Sequence, residues 1–101
     1  MSDGEISGNT AGRGGGVYVS LSLSINSFYS GNMSKTGGTI YGYTGGDNSN
    51  TAKSSGVVQS NQGHAVYAIN YNSSIIYRRE TTAGPTVNLD SNVAGAAGGW
   101  E

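Results

Sequence analysis

Apolar positions along this chain come in short pieces. Ile6 stands alone, and Val17-Tyr18-Val19, Ile40-Tyr41, Val57-Val58, Ala65 to Ile69, Ile75-Ile76-Tyr77 and Val87/Leu89 lie among Gly, Ser, Asn and Thr. The clearest pattern runs from Tyr18 to Phe28, where Leu21, Leu23 and Ile25 alternate with Ser20, Ser22, Ser24 and Asn26. Period-two alternation sends successive side chains to opposite faces of a strand. No stretch repeats apolar residues at helical spacing over several turns. The pattern predicts short strands and essentially no helix.

Two segments match each other. Gly4-Glu5-Ile6-Ser7-Gly8-Asn9-Thr10 aligns with Gly38-Thr39-Ile40-Tyr41-Gly42-Tyr43-Thr44. Gly14-Gly15-Gly16-Val17-Tyr18-Val19 aligns with Gly63-His64-Ala65-Val66-Tyr67-Ala68, at a wider offset. The change in offset places about 15 extra residues between Thr44 and Gly63 of the second copy, as one insertion at about 45–62. In this alignment Tyr43 replaces Asn9, and His64 and Ala65 replace two glycines. Strands of three to five residues with small corners suit an open coil of stacked rungs, which needs neighbours to bury its apolar face. The alternative is an antiparallel β-sandwich, with Tyr18–Phe28 as one long strand.

The blocks GEISGNTA, GGGVYV, KTGGTIYGY and GHAVYA, with the closing RRETTAGPTVNLDS and GGWE, resemble bacterial Gly-rich surface-repeat proteins. Those proteins are similar to right-handed parallel β-helix proteins, including polymorphic outer-membrane proteins and pectate-lyase-like domains. The resemblance implies a short right-handed parallel β-helix with a C-terminal cap. Residues 1–34 form its first repeat, 35–79 its second, and 80–101 the cap. It also implies an extracellular or cell-surface location, although no signal peptide is visible in this chain.

Composition narrows the chemistry. Gly, Ser, Asn and Thr number 18, 15, 10 and 8, half the chain, and few side chains remain to act on a substrate. No cysteine is present, which excludes thiol chemistry, disulfides and cysteine-ligated metals. Five basic residues against six acids cannot track a phosphate backbone, so nucleic acid is not an expected partner. No apolar run approaches the ~20 residues of a membrane-spanning helix.

Candidate sites are correspondingly sparse. Asp3 and Glu5 are the only acids two apart, and they read as solvated terminal charges. Gly45-Gly46-Asp47-Asn48-Ser49-Asn50 resembles part of a calcium-binding repeat, but one carboxylate makes a poor cage, so a loop is expected and no metal. His64, the only histidine, has no nucleophile or acid beside it in sequence and reads as a packing residue. Arg78-Arg79-Glu80 closes a strand and reads as edge protection. Tyrosine is the most suggestive type: Tyr41, Tyr43 and Tyr71 are the candidate sugar-stacking residues. No catalytic residue and no cofactor is assigned.

The expected function is non-enzymatic: a structural or adhesive terminal module that self-associates through an open end or edge of the coil. The alternative is carbohydrate binding or polysaccharide-lyase-like activity. Expected core residues are Ile6, Val17, Val19, Leu21, Leu23, Ile25, Ile40, Val66, Ala68 and Leu89, with Ile69 and Ile76 at its margin.

Overall fold

The structure is a computed structural model that describes residues 1, 3–21, 34–70, 75–83, 87–88 and 100–101. Those residues form an all-β arrangement of ten short strands, and no helix occurs among them. The strands are β1 (Glu5–Ile6), β2 (Thr10–Ala11), β3 (Val17–Leu21), β4 (Ser34–Lys35), β5 (Thr39–Ile40), β6 (Thr51–Ser54), β7 (Val57–Val58), β8 (Val66–Asn70), β9 (Ile75–Arg79) and β10 (Val87–Asn88).

Pairing is mixed, and its parallel part follows chain order. β1 pairs with β5, β2 with β6 and β3 with β8, all parallel. The segment carrying β1–β3 therefore lies along the segment carrying β5, β6 and β8. Antiparallel partners add to the second segment: β7 pairs with β6, β9 with β8, and Ala83 bridges Ile40. β10 pairs antiparallel with β4.

The register refines the sequence alignment. Ile6 lies opposite Ile40 and Val17 opposite Val66, which reproduces both offsets of the matched segments. Between them, Thr10 lies opposite Thr51 and Ala11 opposite Ala52, at an offset intermediate between those two. The structural counterpart of Asn9-Thr10-Ala11 is thus Asn50-Thr51-Ala52, and Tyr43 is not the counterpart of Asn9. The extra length is therefore split between a bulge before Asn50 and an excursion after Ala52. Both sit at corners, where added length costs only slowly growing loop entropy.

The corners explain the matched glycines. Gly14 and Gly63 both have positive φ, +59° and +68°, a region that L side chains avoid. A continuous ladder ties the two corners together: Gly14, Gly15, Gly16 and Val17 donate to the carbonyls of Gln62, Gly63, His64 and Ala65 at 2.8–3.1 Å.

The core is small. Ile40, Ala65, Val66, Ala68, Ala83, Val87 and Trp100 are buried, with Ile6, Val17, Val19 and Tyr77 packed against them. Along the β3-β8-β9 sheet, Val19, Ala68 and Tyr77 share the inward row. The other face presents Tyr18, Tyr67 and Arg78 in one row and Ser20, Ile69 and Ile76 in the next. Ile76 is 43% exposed, because strand alternation assigns the inward positions of β9 to its odd-numbered residues. Leu23, Ile25 and Leu89, expected in the core, lie outside the described residues, as does the side chain of Leu21.

Buried Asn50 joins the two segments. Its Nδ2 donates to the carbonyls of Ile6 (2.8 Å) and Tyr41 (2.6 Å). Its Oδ1 accepts from the backbone N–H of Asn9 (3.0 Å) and from Asn9 Nδ2 (3.1 Å). Two donors and two acceptor sites are all that an amide offers, so the buried polar group is fully satisfied.

Candidate functional site

Two places gather polar side chains. The first is a clasp around His64. Its Nδ1 accepts the N–H of buried Ala52 at 2.9 Å, so the ring proton sits on Nε2, which faces Glu80 Oε2 at 3.6 Å. The Tyr43 ring leans on the imidazole with centroids 5.2 Å apart. Glu80 also accepts from the backbone N–H of Gly63 (2.9 Å) and His64 (3.4 Å). Arg78 Nε faces Glu80 Oε1 at 3.6 Å, and Arg79 approaches Glu101 at 3.5 Å. Glu101 in turn accepts from the Glu80 N–H (2.9 Å) and the Thr81 hydroxyl (3.1 Å).

This clasp is structural in its chemistry. The lone pair that a histidine base would use is engaged by a backbone donor, and the ring is buried. Both glutamates accept backbone donors, and two guanidinium groups balance their charge. Arg78-Arg79-Glu80 finishes β9, which pairs with β8 and whose Arg78 carbonyl accepts the Glu101 N–H at 2.7 Å.

The second place is a groove of about 620 Å³ lined by Gly12, Arg13, Tyr18, Ser54, Gln59 and Gln62. Gly12 and Arg13 form the corner after β2. Ser54 and Gln59 come from the excursion after Ala52, whose β6–β7 hairpin turns on Ser55-Gly56 with φ of +50° and +78°. Arg13 Nε donates to Gln62 Oε1 at 3.2 Å, and its guanidinium carbon stands 5.7 Å from the Tyr67 ring centroid. The rings of Tyr18 and Tyr67 stack across the parallel register, 5.6 Å apart and 8° from coplanar. Tyr67 is buried and Tyr18 is 43% exposed.

Of the tyrosines chosen from sequence, Tyr43 is 48% exposed. Tyr41 is half-buried, with its carbonyl bound by Asn50, and Tyr43 packs on His64. Tyr71 lies outside the described residues. Tyr18 and Arg13 are not singled out by sequence reasoning, although a signal exists for the first. Tyr18 aligns with Tyr67, and in a parallel stack that pairing alone predicts two rings face to face.

The Gly45–Asn50 stretch forms a self-bonded loop rather than a cage. Ser49 Oγ accepts from the Thr44 N–H at 2.7 Å, and Asn50 turns inward. Among the described residues no group of three His, Asp or Glu is arranged to hold a metal ion. No protein family, curated protein or solved structure matches the chain.

Proposed function

We propose that this chain is a non-enzymatic structural or adhesive module of a surface or secreted repeat protein, built as a short right-handed parallel β-helix. Its two matched segments act as successive rungs, and the β9-to-Glu101 region acts as the cap. The observation that carries this reading is the asymmetry of the pairing. Among the described residues, β1, β2 and β3 run parallel to β5, β6 and β8 in chain order, whereas β6 and β8 carry antiparallel strands on the side away from the first segment. Parallel pairing in chain order, covered beyond the second segment by antiparallel strands, suits a terminal piece of a repeat stack that receives another rung or a second copy.

The hydrogen-bond directions favour the same reading. Gly4 and Ile6 carbonyls accept from Thr39 and Tyr41, so the intervening Glu5 directs its backbone groups to the opposite side. Sedimentation of the full chain over a concentration series tests it. Concentration-dependent association that is lost in Glu5→Pro, which removes an outward donor, supports the reading. A strictly monomeric profile up to about 1 mM, a concentration at which even weak contacts register, overturns it.

A further inference from the structure

We propose that the groove beside Tyr18 is a binding site for a carboxylated sugar at the end of a glycan. Three features of the groove converge on that ligand class, and they stand independently of how the rungs associate.

The first is a cation held by neutral groups among the described residues. Arg13 is fixed by Gln62 and by the Tyr67 ring, both neutral, and none of the six lining residues is acidic. With Nε engaged, the guanidinium keeps four further N–H donors in a rigid plane, a geometry matched to a carboxylate. A single arginine suits one carboxylate, not a run of phosphates. Because the side chain is already oriented, less entropy is lost on binding.

The second is the aromatic surface. Tyr18 is braced against Tyr67 in a near-parallel stack yet leaves 43% of itself to solvent. A rigid, part-exposed ring of this kind offers apolar surface to the C–H face of a pyranose. The third is the polar wall. Ser54, Gln59 and Gln62 contribute a hydroxyl and two amides, groups that donate and accept, as sugar hydroxyls also do. The volume lies within the range of ligand pockets. The wall also comes from the hairpin that the first segment lacks, and binding groups concentrate on such excursions from a rigid scaffold.

The test is an NMR titration of the full chain with 3′-sialyllactose, digalacturonate, lactose and acetate. Binding of an acidic sugar should shift Arg13 Nε–H, the Tyr18 amide and the Gln59 and Gln62 side-chain amides. Lactose and acetate should bind at least about tenfold more weakly, and Arg13→Gln should weaken the acidic sugar by about tenfold or more. Arg13 is exposed, so the variant keeps its fold, and Gln59→Ala provides a second substitution in the groove with a smaller expected loss. The proposal is overturned if neither acidic sugar shifts these signals at about 10 mM, weaker than ordinary recognition. It is equally overturned if lactose or acetate matches the acidic sugars, or if Arg13→Gln binds as tightly as the parent chain.

Discussion

Replacing Asn50 with alanine should be among the most damaging single changes in the described part of this protein. The side chain is fully buried and makes four hydrogen bonds, at 2.6, 2.8, 3.0 and 3.1 Å. The four losses are unequal. The Ile6 carbonyl still accepts the Tyr41 N–H at 3.1 Å, and Asn9 Nδ2 still donates to the Ser7 carbonyl at 3.0 Å. The Tyr41 carbonyl and the Asn9 N–H lose the bonds described for them. Each buried group left unsatisfied costs about 1–3 kcal/mol, and water reaching a half-buried corner holds the total to about 2–4 kcal/mol. For a small domain with about 5–15 kcal/mol of total stability that is a large fraction. Urea unfolding followed by tyrosine fluorescence should show the midpoint falling by about 1–2 M. Asn9→Ala, which leaves the Asn50 amide bound to both carbonyls, should cost about 0.5–1.5 kcal/mol. A loss below about 0.5 kcal/mol for Asn50→Ala, the scatter of ordinary surface substitutions, would refute the idea that this amide joins the segments. Equal losses for the two variants would refute it as well.

Other outcomes follow from the same structure. His64→Ala should cost about 1–3 kcal/mol by leaving the buried Ala52 N–H without its acceptor, and imidazole nitrogen shifts should place the proton on Nε2. Detection of the Nδ1–H tautomer would contradict that role. Burial lowers the pKa of Lys35 from its ordinary 10.5, so the unfolded chain binds more protons between the lowered value and 10.5. Stability should therefore rise with pH through that window, seen as a growing difference in urea midpoint between the parent and Lys35→Met; a flat difference would refute it. Ser55→Asn should raise stability by about 0.5–1 kcal/mol in thermal unfolding, since Asn tolerates the positive φ of the β6–β7 turn better than Ser. A loss of stability would show that the turn is not of this type.

Much of the strand layout is legible in the sequence, because alternation and matched glycines are local signals. Both offsets of the matched segments reappear as parallel register, at Ile6/Ile40 and Val17/Val66. The middle of the alignment fails for a physical reason. Matching Thr10 to Thr44 keeps the segments contiguous, but the parallel pairing places beside Asn9 an asparagine whose amide reaches both segments. The second Asn-Thr-Ala, at 50–52, meets that need and lies within the polar stretch read as a single insertion. Ile76 is apolar and yet exposed, because β9 turns Tyr77 toward the core, where the Trp100 ring meets it at 5.8 Å. Nothing local to Ala83 or Trp100 announces burial, which arises from the chain returning over Ile40 and Tyr77. The groove is hidden for a related reason: Arg13 sits among glycines, and its partners Gln62 and Tyr67 belong to the other matched segment.

Interstrand nuclear Overhauser contacts test the parallel pairing of the two segments most directly. Parallel-strand contacts are expected between Thr10 and Thr51, and between Val17 and Val66, with Asn9 beside Asn50. Contacts of Thr10 with Thr44, or an antiparallel pattern between Val17–Leu21 and Val66–Asn70, would contradict it.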